Sequence, residues 1–139
     1  MGTPDRSDVI TLDTSAVLAL VNARDPNHSA AAVAVSSASA ECVLPMSILS
    51  EVGYMIERWM SQTHLTRLLD RIVTGAVNVR CGEDDFSRIG ELVTRYSSLP
   101  LGFSDAAVVA CAEHTGGQVL SFDRRDFDVV ARGGTITLV

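Results

Sequence analysis

The chain has 139 residues, 47% of them hydrophobic, and its 17 Asp and Glu outnumber its 11 basic residues for a formal net charge of −6. A chain of this length favours a single domain, because about 140 residues bury roughly two-thirds of the surface of the unfolded chain. The acidic balance excludes a protein that holds nucleic acid chiefly through a positive overall field, and the absence of Lys excludes any mechanism that needs an essential lysine.

Residues 1–7 have no apolar core and are expected to form a flexible tail, with residues 8–139 as one domain. No apolar run is long enough to cross a bilayer, and no basic start precedes an apolar segment, so we expect a cytoplasmic protein with no membrane partner. Cys42, Cys81 and Cys111 are odd in number and widely spaced in apolar surroundings. Three buried thiols are therefore expected, and neither a disulfide framework nor a thiolate metal site.

Strand-like and helix-like stretches alternate along the chain. The predicted strands are 9–12, 42–44, 76–81, 118–122 and 135–138. The predicted helices are 15–21, a small-residue helix that starts after Asp25 and includes 30–40, then 46–60, 63–74, 83–96 and 105–114, with a short turn at 127–131. Strands separated by helices imply parallel pairing with helices on both faces of the sheet, because each crossover must cover a face. The sequence therefore predicts a three-layer α/β/α fold around a central, mainly parallel sheet.

Three acids stand at the edges of predicted apolar elements. Asp13 follows strand 9–12, Asp123 follows strand 118–122, and Asp105 opens a buried helix. In open α/β sheets ligands bind outside the carboxyl ends of the strands, which places such acids for chemistry. Asp is also a preferred helix N-cap, so a capping role for Asp13 stays open.

Glu51 is the fourth acid, at the margin of an apolar helix face. The face consists of Ile48, Val52, Met55, Ile56 and Trp59. Glu51 lies beside this predicted buried stripe, whereas Glu57 points away from it. A carboxylate at the edge of a core is costly unless it is paired, protonated or bound to metal. A partly solvated Glu51 that pairs with Arg58 is the alternative.

Four carboxylates that converge on one cleft predict a divalent cation. At about 4 Å and an effective dielectric constant near 20, each pair of like charges costs roughly 4 kcal/mol. Oxygen ligands suit Mg²⁺ or Mn²⁺, and such ions can clamp both oxygens of an in-line phosphoryl displacement. His28, His64 and His114 are scattered and are expected at the surface or at helix caps.

The acidic motifs resemble those of a known family. The motifs are Val9–Ser15, Leu49–Val52, Gly102–Ala107 and Leu120–Phe127. Their order and separations, over nearly the whole chain, resemble the PIN domains, particularly the bacterial VapC-type toxins. The resemblance implies a PIN-like fold, a Mg²⁺-dependent endoribonuclease that acts on RNA, a homodimer, and restraint by a small cognate antitoxin protein.

The same resemblance assigns roles to individual residues. Its metal-binding and catalytic acids correspond to Asp13, Glu51, Asp105 and Asp123. Thr14 or Ser15 would orient Asp13 or a metal-bound water, and Ser104 would cap its helix and steady Asp105. Asp126 is either a supporting group behind the site or a turn and capping residue, and we favour the latter.

Contacts to RNA are less sharply predicted. Arg124 and Arg125 follow Asp123 and are within reach of a phosphate, and two further Arg pairs share helix faces, although most such residues only solvate a helix. These pairs are Arg67 with Arg71 and Arg88 with Arg95. The aromatic residues Tyr54, Trp59 and Phe103 are expected in the core or at a dimer seam.

Other α/β classes fit less well. A phosphoacceptor receiver domain needs a site lysine, which this chain lacks, and a haloacid-dehalogenase-type phosphatase needs an Asp where Ser15 stands. A non-catalytic metal- or RNA-binding regulatory module on the same fold remains the alternative to an enzyme. No motif distinguishes one RNA target from another.

Overall fold

Five parallel strands form the central sheet. The computed structural model describes residues 9–38 and 41–139, so the predicted tail lies outside the described residues. The strands are β1 (Val9–Leu12), β2 (Glu41–Pro45), β3 (Asn78–Arg80), β4 (Gln118–Leu120) and β5 (Thr137–Leu138). They pair in the order β3-β2-β1-β4-β5, with every neighbouring pair parallel. The predicted α/β class is confirmed, although β3, β4 and β5 are shorter than the apolar runs that suggested them.

Seven α-helices connect or follow the described strands. They are α1 (Thr14–Val21), α2 (His28–Ala38), α3 (Met46–Trp59), α4 (Gln62–Thr74), α5 (Phe86–Arg95), α6 (Phe103–His114) and α7 (Arg124–Ala131). The helix predicted at 83–96 is divided, since Glu83–Asp85 form a 3₁₀ turn before α5. Asp105 is the third residue of α6 and does not open it. None of the described helices has the length and hydropathy needed to span a membrane.

The small-residue helix is real but starts later than predicted. The Asp25 carboxylate accepts a hydrogen bond from the Asn27 amide at 2.8 Å, and the His28 amide donates to the Asp25 carbonyl at 3.0 Å. These bonds form a turn over Pro26, so α2 begins at His28. Of the predicted segment, residues 39 and 40 lie outside the described part of the chain.

The order of the strands creates a crevice beside β1. The chain builds β2 and β3 on one side of β1 and then returns to place β4 and β5 on the other side. Leu12 is in register with Leu120, so the loops after β1 and β4 leave the sheet side by side. Ligands bind at this kind of topological switch point in open α/β sheets.

The core is aliphatic, and large aromatic residues contribute little to it. Residues 106–112 of α6 are all buried, as are Ile48, Val52 and Ile56 of α3. Trp59, predicted in the same stripe, is 70% exposed, because α3 ends there and its ring lies against the guanidinium of Arg58. Tyr54 is also exposed, so a core position is wrong for both residues.

The cysteines differ from the expectation of three thiols. Cys81, just after β3, forms a disulfide with Cys111 in the buried part of α6. The 30 residues that separate them in sequence concealed this pairing, which depends on how α6 packs beside the end of β3. Cys42 lies outside the disulfide in β2, and burial raises the pKa of its thiol.

Candidate active site

A cavity of about 500 Å³ opens at the carboxyl edge of the sheet. The loop after β1, helix α3, the first turn of α6 and the loop after β4 each contribute one acid to its wall. These acids are Asp13, Glu51, Asp105 and Asp123. The structure therefore brings all four predicted acids together, although their sequence positions span most of the chain.

Asp13 is both a helix cap and a wall of the cavity. It is 4% exposed, and its Oδ1 accepts hydrogen bonds from the Ser15 hydroxyl at 2.7 Å and from the Ala16 amide at 2.8 Å. Its Oδ2 accepts from the Ser121 hydroxyl at 2.5 Å. Burial raises the pKa of Asp13, and these hydrogen bonds oppose that rise. A capping role and a role in the cavity, the two interpretations left open by the sequence, are therefore compatible for Asp13. Hydrogen bonds within the fold use three of the roughly four lone-pair positions of its carboxylate.

Two serines connect the loops that carry Asp13 and Asp123. The Ser15 hydroxyl accepts a hydrogen bond from the Phe122 amide at 2.9 Å, and the Ser121 hydroxyl accepts from the Asp123 amide at 3.0 Å. Each hydroxyl donates to Asp13 at the same time. The sequence indicated an orienting role for Ser15 but none for Ser121. The one sequence feature that could have indicated a role for Ser121 is its position at the end of a strand, two residues before Asp123.

Asp105 has a pKa well above the ordinary value of 3.8 for an aspartate. Burial raises its pKa to about 6, and the charges of Asp13, Asp123, Asp126 and Glu51 add to the rise. Burial removes favourable hydration from the charged form of Asp105, and four other acids repel it. No positively charged group is among the causes that act on its pKa. The predicted cap is absent, because Gly102 is the N-cap of α6 and makes no side-chain bond, while Ser104 lies inside the helix and lines the cavity.

Glu51 is exposed and lies across the cavity on α3. The Thr14 hydroxyl donates to its Oε2 at 3.4 Å, so Thr14 contacts Glu51 and Ser15 is the residue that orients Asp13. No ion pair among the described residues joins Glu51 to Arg58. Glu57 is exposed and does not line the cavity, as its helical position predicted.

The donor set of the cavity fits Mg²⁺ or Mn²⁺. All four acids offer oxygen, and hard divalent cations prefer oxygen ligands. Within the described parts of the chain, the one group of three or more metal-ligating side chains whose donor atoms lie within 4.8 Å of one another is elsewhere, at Cys81, Asp85 and His114. The wider spacing of the cavity acids suits Mg²⁺, which commonly keeps several waters and takes one or two carboxylates directly.

The histidines lie away from these acids. His28 Nδ1 contacts the Ala19 carbonyl at 2.8 Å, and His64 Nδ1 contacts the Ser61 hydroxyl at 2.7 Å, where Ser61 caps α4. His114 ends α6 and pairs with Asp85 at 2.8 Å. The predicted surface position is confirmed for His114, which is exposed at the end of α6, while His28 and His64 are half-buried near the starts of α2 and α4.

The residues predicted as possible RNA contacts differ in how far other side chains already bind them. Arg88 makes two 2.8 Å bonds to Glu113 and one of 2.9 Å to Glu91, so its guanidinium is committed to α5 and α6. Arg124 and Arg125 are exposed directly after Asp123, and Arg124 also lies 3.9 Å from the Asp128 carboxylate and donates to the Val139 carbonyl at 3.5 Å. Phe103 was predicted in the core or a seam but lines the cavity at 51% exposure, because the first turn of α6 projects from the sheet edge.

Comparisons with known proteins agree with this architecture. The PIN domain family matches residues 10–133 of the chain. Ribonuclease VapC26 of Mycobacterium tuberculosis (strain ATCC 25618 / H37Rv) is 27% identical over 132 residues, which cover 92% of this chain and 98% of that protein. The crystal structure of Mycobacterium tuberculosis VapC20, described as a Sarcin-Ricin loop cleaving toxin, has a TM-score of 0.74 at 20% identity and covers 86% of this chain and 94% of that one. The chain belongs to the PIN domain family.

Proposed function

We propose that this protein is a Mg²⁺-dependent endoribonuclease and the toxin of a toxin–antitoxin pair. The observation that carries the proposal is the meeting of Asp13, Glu51, Asp105 and Asp123 in one cavity of a PIN domain. The likeness to Ribonuclease VapC26 supports RNA as the substrate.

The four acids would have different roles in binding the metal ion. Asp13 is held rigidly by Ser15, Ala16 and Ser121, so it fixes one edge of the ion site. Asp105 is half-buried, and Glu51 and Asp123, which line the same cavity, are exposed. A bound Mg²⁺ or Mn²⁺ would neutralise these carboxylates and supply Lewis acidity toward a phosphodiester.

Other residues around the cavity would bind the RNA. Arg124 and Arg125, exposed beside Asp123, would contact backbone phosphates, and a guanidinium can make two parallel hydrogen bonds to such a group. Phe103 presents an aromatic ring at the cavity on which an unpaired base would stack. Local charge around the site would then matter more for binding than the acidic whole-chain balance.

A divalent-ion titration with labelled single-stranded RNA tests the activity. We expect cleavage with Mg²⁺ or Mn²⁺, weaker cleavage with Ca²⁺ because its looser coordination positions the reacting groups less well, and none in excess EDTA. Ion-dependent RNA binding without cleavage would replace the enzyme by a binding module. Undiminished cleavage in EDTA would overturn the metal-dependent mechanism.

The toxin role implies a protein partner. An open acidic cavity invites inhibition by an antitoxin segment that places an Arg across the carboxylates. We expect the protein to arrest growth when expressed alone and to co-purify with the product of the adjacent gene, as a complex of homodimers. A harmless protein that binds no neighbour-encoded partner would refute the toxin role while leaving the nuclease intact.

The RNA target is found by mapping cleavage in cells. Sequencing RNA 5′ ends after brief induction of the wild type and of an Asp105→Asn control would show new ends that depend on the acid. A reproducible sequence or loop at those ends would define the substrate.

A further inference from the structure

A second cluster of metal-ligating side chains lies outside the acidic cavity. Cys81, Asp85 and His114 each present one donor atom, and these three atoms lie within 4.8 Å of one another. His114 Nε2 donates to Asp85 Oδ1 at 2.8 Å, and Cys81 Sγ lies 3.6 Å from the same nitrogen. Nine residues of α6 separate His114 from Asp105, about 13 Å along the helix axis, so the cluster is distinct from the cavity.

The donors of this cluster suit a different ion from those of the cavity. One thiolate, one imidazole and one carboxylate are typical ligands of Zn²⁺, whereas Mg²⁺ takes oxygen. A tetrahedral Zn²⁺ with Zn–S near 2.3 Å and Zn–N near 2.0–2.1 Å holds sulfur and nitrogen about 3.5 Å apart, close to the spacing of Cys81 and His114. The His114–Asp85 pair would need to open by about half an ångström.

The surroundings of the three side chains favour a partly open site. The Asp85 side chain is 10% exposed and is held by the 3₁₀ turn, while the His114 side chain is 53% exposed. Water can therefore reach the cluster and fill a fourth coordination position. Three protein ligands with one open position are a common arrangement for zinc.

Cys81 has two mutually exclusive uses. Its Sγ is bonded to Cys111, and a disulfide sulfur does not serve as a thiolate ligand. Cys81 is half-buried and Cys111 fully buried, so a reductant reaches the Cys81 sulfur first. Reduction of this one bond would deliver the missing thiolate to Asp85 and His114.

We propose that Cys81, Asp85 and His114 form a redox-gated Zn²⁺ site, closed by the Cys81–Cys111 disulfide and opened by a dithiol reductant. A reductant thiolate attacks Cys81 Sγ, the S–S bond breaks, and Cys111 leaves and takes a proton. The second reductant thiolate attacks the mixed disulfide and releases Cys81, so the dithiol is oxidised to its own disulfide. Zn²⁺ then displaces the Cys81 proton, and the His114 proton moves from Nε2 to Nδ1.

The disulfide and the ion would fasten the same two segments. Each joins the stretch after β3 to the last turns of α6, the helix that carries Asp105. Disulfides persist in oxidising compartments and are reduced in the cytosol. The site would therefore keep α6 attached to the end of β3 in both environments.

Cobalt spectroscopy tests the proposal without relying on nuclease activity. Co²⁺ bound to a thiolate gives a sulfur-to-cobalt charge-transfer band, which the all-oxygen cavity cannot produce. The protein is reduced with dithiothreitol, desalted without air, titrated with Co²⁺ and then with Zn²⁺. We expect no band from the oxidised protein, and from the reduced protein a band that saturates at one equivalent and disappears when Zn²⁺ is added.

Variants assign the band to the cluster. Cys111→Ala should show the band without reductant. Adding His114→Ala removes a direct ligand and should weaken Co²⁺ binding by at least the roughly 10–100-fold that loss of a residue supporting a ligand costs. His64→Ala in the Cys111→Ala background is the matched control and should bind like its parent. Absence of the band from the reduced wild type, or a band that His114→Ala leaves unchanged, would overturn the site. The reduced wild type decides the question if Cys111→Ala does not fold.

Discussion

Asp13 and Asp105 face the same cavity but differ in their relation to the fold. Asp13 accepts three hydrogen bonds from its surroundings, so its carboxylate supports the structure. Asp105 is half-buried, and burial together with the charges of the neighbouring acids raises its pKa to about 6. We therefore expect removal of the two side chains to change stability in opposite directions.

Asp13→Ala should lower the free energy of unfolding by about 2–4 kcal/mol. The substitution removes an N-cap and leaves a buried amide, the buried Ser121 hydroxyl and the half-buried Ser15 hydroxyl without their acceptor. Urea unfolding in EDTA measures this loss, with Glu57→Ala as the exposed control. A stability equal to wild type would contradict the structural role of Asp13.

Asp105→Asn should stabilise the metal-free protein in a pH-dependent way. The folded-state pKa is raised above the ordinary value of 3.8 to about 6, so the favourable contribution of the protonated acid is complete below about pH 4 and is lost as the pH rises through 6. The gain from Asn should be near zero at pH 4 and reach on the order of 1–2 kcal/mol above pH 7, after allowance for solvent screening. Melts in EDTA from pH 4 to 8 measure it, and a gain that does not change with pH would contradict the account.

At the scale of elements, the site is built where β1 and β4 end side by side. Ser15 and Ser121 link the two loops through one carboxylate, so the positions of Asp13 and Asp123 are coupled. Glu51 and Asp105 line the same cavity but lie on two different helices, α3 and α6. The positions of Asp13 and Asp123, two of the four cavity acids, therefore depend on this hydrogen-bonded junction between the loops after β1 and β4.

Ser121→Ala should disturb this junction. The hydroxyl is buried, and its loss removes the donor to Oδ2 of Asp13 and the acceptor of the Asp123 amide, at a cost of about 1–3 kcal/mol. Single-turnover cleavage should slow as well, and Ser121→Thr should restore both properties in part. The exposed Ser87→Ala is the control. Wild-type melting and cleavage by Ser121→Ala would show that the junction is dispensable.

Local patterns predicted the elements better than their ends or contacts. The alternation of apolar runs and amphipathic stretches predicted the parallel sheet and most helices, because burial of one helix face leaves a periodic signal. The start of α2 depends on the hydrogen bond that the Asp25 side chain accepts from the Asn27 amide. The exposure of Trp59 depends on the residue at which α3 ends. Neither appears in a periodic pattern.

At the scale of the whole molecule, the acidic site was more accessible to sequence reasoning than the second cluster. Asp13, Asp105 and Asp123 were predicted at the edges of elements, and Glu51 at the margin of an apolar helix face. Each belongs to a recognisable motif, and parallel topology brings the ends of neighbouring strands together. The Cys81–Cys111 bond and the His114–Asp85 pair join residues about 30 positions apart with no motif between them. Only the packing of α6 against the end of β3 reveals them.

Reduction of the disulfide should destabilise the whole domain. Closure of a loop of about 30 residues restricts the unfolded chain and is worth about 3–4 kcal/mol in the chain-entropy model. Urea unfolding with and without dithiothreitol, in EDTA to exclude metal binding, measures the difference. Cys111→Ala should be insensitive to the reductant, and Cys42→Ala should keep the full sensitivity. Equal midpoints for oxidised and reduced wild type would contradict a stabilising role.

Cleavage by matched acid variants tests the central claim that the cavity acids form a ribonuclease site. Single-turnover cleavage of RNA in Mg²⁺ should fall by orders of magnitude in Asp105→Asn, which removes a charge with little change in volume. Glu57→Gln and Asp126→Asn change acids that do not line the cavity, and both variants should cleave nearly as fast as wild type. If Asp105→Asn folds and cleaves like wild type, the acids are structural and the proposed site is wrong.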